Sequence, residues 1–133
     1  MKLLIVMSLL ASSVCFANRE SGGRQSASAV YVDFISVGAG IDTESANAFE
    51  VLASAAKSRG EVLDETIEQK GREGETRYCV KLSDAVQRYN FIKSLSMAIL
   101  SDTEKNGVQR TAVYVGTDCH SFQNATEQNL NNY

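Results

Sequence analysis

AVYVDFISV, Ala29 to Val37, is the stretch richest in β-branched and aromatic side chains, and it reads as a strand. Both of its faces are largely apolar, which suits a central place in a sheet covered on at least one side. Gly38-Ala39-Gly40 punctuates it, and Asp42 or Thr43 then supplies an N-cap with Glu44 in the first turn of a helix. Ala46, Phe49, Leu52, Ala53 and Ala56 recur at helical spacing, and Gly60 is placed to stop that helix. Val62 to Gln69 alternates, Lys70 to Gly74 is a polar turn, and Thr76 to Leu82 follows as a strand, so the three read as a hairpin. Tyr78, Val80 and Leu82 share one face of that strand, opposite Arg77, Cys79 and Lys81. Ser83 or Asp84 opens a second helix, with Asp84 and Gln87 resembling a capping box. Its apolar positions are read as Val86, Tyr89, Ile92, Leu95, Ile99 and Leu100. Asn106-Gly107 turns the chain into a last strand, Gln109 to Thr117.

The order β-α-β-β-α-β predicts an α+β domain. The expected form is a ferredoxin-like sandwich, one four-stranded antiparallel sheet with two helices on one face. Right-handed crossovers place strands one and three centrally and strands two and four at the edges. The expected domain covers residues 29–119, with 120–133 as a polar C-terminal tail, rich in Asn and Gln from Phe122 onward and expected to be loose or pinned only near Cys119.

Before the domain, residues 18–28 are small and polar and read as a flexible leader. Residues 1–17 have the grammar of a cleavable signal peptide: Lys2, an apolar run from Leu3 to Ala11, and Ala17 before a cut at Asn18. An uncleaved anchor would need a stop-transfer flank, and lipidation at Cys15 is disfavoured by the bulky Val14 before it. The expected location is therefore secreted or periplasmic, with no stable membrane insertion after cleavage. Removal of the signal leaves roughly 116 residues, enough for one core and too few for two. Loss of Lys2 makes the formal net charge of −3 one unit more negative. That balance argues against nucleic acid and anionic lipid as partners.

Cys15 leaves with the signal, so Cys79 and Cys119 form an even pair in an oxidising compartment. A bridge between them closes a 40-residue span, worth about 4 kcal/mol in the chain-entropy model. The predicted topology puts the two strands on opposite sides of the first strand, too far apart for a bridge within the sheet. Cys119 lies past the last strand, however. The tail can fold back so that the bridge forms on the face away from the helices, where Cys79 points. Two buried thiols, or a metal site that also uses His120, are the other readings, and the spacing fits neither C-x-x-C nor a zinc set.

Candidate binding residues are few. Gly38 and Gly40 lie where a strand meets a helix N-terminus, a place for an anion, but Asp42 would repel one. Arg72, in the charged hairpin turn, and Arg77 nearby are candidates for contact with an acidic group. Asn124-Ala125-Thr126 has the form of a glycosylation sequon. No catalytic constellation, cofactor motif or metal set is legible. The expected function is a non-catalytic exported interaction domain that binds a protein through an open sheet face or an edge strand. The alternatives are an inhibitor or folding assistant for an exported hydrolase, using the tail Leu130 to Tyr133, and a small hydrolase using His120.

Overall fold

The computed structural model describes residues 28–36, 40–106 and 111–133. The signal peptide, most of the leader, Gly38, Gly107 and the Leu100 side chain lie outside the described residues. The elements run β1 (Ala29–Phe34), α1 (Thr43–Ser58), β2 (Val62–Gln69), β3 (Thr76–Leu82), α2 (Ala85–Asn106), β4 (Thr111–Gly116) and β5 (Thr126–Glu127). The sheet is antiparallel, in the order β2-β3-β1-β4-β5. The α+β class holds, whereas the four-stranded, ferredoxin-like sandwich is corrected by β5, which pairs with β4 and takes over the edge expected for it. The reason is local. Ala125 N–H closes a 3-10 turn over Phe122–Asn124 onto the Phe122 carbonyl, which delivers Thr126 beside Val115.

Both helix starts follow from their caps. The Asp42 carboxylate accepts from Ser45 N–H at 3.0 Å, and Asp84 accepts from the amides of Val86 and Gln87 at 2.8 and 2.9 Å. At the far end of α1, Gly60 has φ +73° and donates to the Lys57 carbonyl, while Glu61 donates to Ala56. This is a left-handed glycine closure that a side chain would strain.

The core lies between the helices and one sheet face. Val30, Val32 and Phe34 of β1, Val80 and Leu82 of β3, and Val113 of β4 meet Phe49, Ala53 and Ala56 of α1. They also meet Phe91, Ile92, Leu95 and Ile99 of α2. Val86 and Tyr89, read as part of the α2 apolar face, are exposed instead. At about 100° per residue, the stripe 91-92-95-99 turns Val86 to the back of the helix and Tyr89 to its flank. The tail is structured rather than loose. Gln128 N–H donates to the Val113 carbonyl, Leu130 is buried in the core at 5% exposure, and the Tyr133 ring lies 5.7 Å from that of Tyr89. The C-terminal segment thus starts on the outer sheet face and ends against α2 on the other.

Candidate functional site

The outer face of the sheet carries a second cluster around Ala29, Tyr31, Cys79 and Cys119. Strand parity sends these side chains away from the helices. After β4 the chain crosses β1: the Tyr31 hydroxyl donates to the Asp118 carbonyl at 2.5 Å, and the Asp118 carboxylate accepts from His120 N–H at 2.8 Å. That turn brings Cys119 to Cys79, with Cα atoms 5.5 Å apart and a disulfide formed. The bridge lies on the face away from the helices. Phe122 then lies over the sheet, its ring 5.1 Å from those of Tyr31 and Tyr114, both edge-on. The Arg77 guanidinium lies 3.1 Å from the centre of the Phe122 ring. It also makes a fork to Asp33, at 2.6 and 2.5 Å.

The electrostatics of this face are self-contained. Hydrogen bonding to Asp33 raises the Arg77 pKa above its already high ordinary value. Burial pushes the Tyr31 and Tyr114 phenols up, and the His120 amide holds the Asp118 carboxyl below the usual range. Beside the cluster opens a cleft of about 310 Å³, lined among others by Thr66, Glu68, Lys70, Arg77 and His120. Each of its basic side chains has a carboxylate. Arg77 holds Asp33, Lys70 Nζ is 2.6 Å from Glu68, and His120 Nε2 is 3.3 Å from Asp64. Such a cleft offers no uncompensated positive charge to an anion.

Of the sequence candidates, Arg77 is engaged with Asp33 and Phe122, and Arg72 is exposed in the hairpin turn. Gly40, at φ +83°, precedes a helix N-terminus already occupied by the Asp42 carboxylate, to which both the amide and the hydroxyl of Ser45 bond. The β1–α1 loop and the hairpin turn share one end of the sheet, where the Ser36 hydroxyl bonds to Glu73. Arg72 and Gly40 therefore lie at the same end, while Arg77 belongs to the outer face. His120 has two carboxylates as partners and no thiol beside it, because Cys119 is in the bridge.

The remaining surface of note is the outer edge of β2, where no strand pairs among the described residues. Lys70 N–H bonds to Glu75 across the hairpin, so the even-numbered amides of β2 face β3. The odd-numbered amides of Glu65, Ile67 and Gln69 face outward, and that of Glu65 is met at 2.9 Å by the preceding Asp64 carboxylate. Leu63 and Ile67 are each 63% exposed on this strand. Beside it lies a groove of about 260 Å³ between α1 and β2, floored by Phe49, Ala53 and Tyr78 and bordered by Ile67. The Lys57–Glu65 ion pair, at 2.8 Å, crosses it. The crossover rule already put the second strand at an edge. The outward amides and the Phe122 cluster were not legible, because both depend on register and on where the tail lands.

No helix among the described residues is long and apolar enough to cross a membrane. Compared with protein-family models, curated proteins and solved structures, the chain matches none of them.

Proposed function

We propose that this is an exported, non-catalytic domain that binds a protein partner by accepting an extended segment along the free edge of β2. The observation that carries the reading is that edge: the outward amides of Ile67 and Gln69 beside the exposed apolar side chains of Leu63 and Ile67. Unpaired strand edges are templates for strand addition, in which main-chain bonds supply affinity and side-chain pockets supply selectivity. The helices cover one sheet face, and the Phe122 segment covers much of the other, which leaves the edge as the accessible part of the sheet. The Cys79–Cys119 bridge and the signal-like N-terminus support export. The inhibitor reading loses its protruding tail, because Leu130 is in the core.

Photo-crosslinking tests the proposal. A photoreactive residue at Gln69, on the edge, is expected to yield discrete adducts in the exported fraction, in protein beginning near Asn18. The same group at Met97, exposed on α2, is expected to yield none. Adducts at Met97 but not Gln69, or a protein confined to the cytoplasm with its first 17 residues intact, would overturn the proposal.

A further inference from the structure

We infer that the segment accepted by β2 alternates apolar and basic residues, its apolar side chains entering the α1–β2 groove and its basic ones meeting Asp64 and Glu68. This inference rests on the strand-addition reading and adds the chemistry of the occupant. The register assigns the two faces of β2. Asp64, Thr66 and Glu68 pair with Lys81, Cys79 and Arg77 and share the outer face, while Glu65 and Ile67 pair with Val80 and Tyr78 and share the helix face. A strand added at the usual spacing of about 4.8 Å continues that alternation. Its helix-side residues come to lie beside Ile67 over the apolar floor of the groove. Its outer-face residues come to lie beside carboxylates.

The charged residues of the strand itself have one sign. Val62–Gln69 contains Asp64, Glu65 and Glu68 and no lysine or arginine. The side chains that meet Asp64 and Glu68, His120 and Lys70, come from outside the strand, and both contacts are well exposed. Exposed pairs of this kind contribute little, so an incoming arginine or lysine can displace them at small cost. In one register the same argument disfavours a second copy as the occupant. Antiparallel pairing of β2 with itself about Thr66 would set Asp64 against Glu68 twice over, and like charges directly opposite are destabilising. The negative net charge of the whole chain steers a basic segment toward it in the same sense.

The experiment titrates the full domain with two labelled peptides of equal length, one alternating arginine with valine and one alternating glutamate with valine, and reads fluorescence anisotropy. The basic peptide is expected to bind at least tenfold tighter, and more weakly as salt rises. Gln69→Pro removes one outward amide while leaving the ladder to β3 and the side chains of the groove in place, and is expected to weaken binding at least fivefold. The pair Asp64→Lys and Glu68→Lys is expected to reverse the preference between the peptides. Circular dichroism matching the parent establishes that each variant is folded. Equal binding of the two peptides, a preference unchanged by charge reversal, or insensitivity to Gln69→Pro would each overturn the inference, as would a concentration-dependent dimer that Gln69→Pro dissolves. Adducts at Gln69 with no charge preference would sink the occupant's chemistry alone, whereas absence of adducts there sinks the strand-addition reading beneath it.

Discussion

Phe122 holds the outer face together through three contacts of two kinds. Its ring edges meet Tyr31 and Tyr114, and its face receives the Arg77 cation, which Asp33 orients through two hydrogen bonds. Ring pairs and a cation over a ring each add of the order of 1 kcal/mol beyond area burial. Phe122→Ala is expected to lower stability in urea denaturation by about 2 kcal/mol, less than a fully buried phenylalanine would cost because this ring is half-buried. Phe122→Leu keeps apolar volume but loses the ring electrostatics, and should recover about half of that loss. The contrast separates packing from the aromatic and cationic contacts. Equal losses for the two variants would mean that apolar volume contributes nothing, and full recovery by leucine that the ring contacts contribute nothing. The N-cap Asp42 and the stop at Gly60 could be read from the sequence, since each acts on amides and carbonyls within four residues. The role of Phe122 could not, because its partners are 8 to 91 positions away on three different strands.

The C-terminal segment shows how a polar stretch becomes a structural element. Thr126 and Glu127 pair with β4, Gln128 bonds to Val113, and Leu130 then enters the core beside α2. Two residues of strand are too few to persist alone, so the anchor is the buried leucine. Leu130→Ala is expected to cost about 3 kcal/mol in global stability. Amide hydrogen exchange should also quicken across β5 and the residues after it while the hairpin of β2 and β3 keeps its protection. Uniform acceleration throughout the sheet would show instead that the segment is not a separable unit. Helix α2 gives the converse lesson. Val86 and Tyr89 are apolar, yet the helix turned them outward because its buried stripe was set by what α1, the sheet and Leu130 left to be covered. Tyr89 then serves as the landing place for Tyr133.

Across the whole molecule, the two sheet faces are covered by different means, helices on one and a disulfide-held segment on the other. Both bury tyrosines, and this predicts how the fold responds to alkali. Burial raises the pKa of Tyr31, Tyr78 and Tyr114 above the ordinary value of 10.0, with the Glu50 carboxylate adding to the effect on Tyr78. The unfolded chain releases these protons near pH 10.0, while the folded chain holds them to higher pH. Between those limits the unfolded state binds fewer protons, so stability falls as pH rises. The stability these groups contribute is full below pH 10.0 and is lost as the pH rises through the folded-state values. The chain has no tryptophan, so tyrosinate absorbance reports the titration without overlap. The part of the rise that belongs to Tyr31, Tyr78 and Tyr114 should come late and coincide with loss of far-ultraviolet ellipticity. A tyrosinate transition complete near pH 10.0 in the folded protein would contradict this.

Helix caps, the hairpin, the α+β class, the edge position of the second strand and the pairing of Cys79 with Cys119 could all be read from the chain, because each follows from residue type, spacing or strand parity. The fifth strand, the burial of Leu130, the engagement of Arg77 and the outward turn of Val86 could not. Each of those is stabilised by a surface that exists only once distant elements have packed. Local preference cannot signal a two-residue strand or a single leucine in a polar tail whose stabilisation comes entirely from that surface.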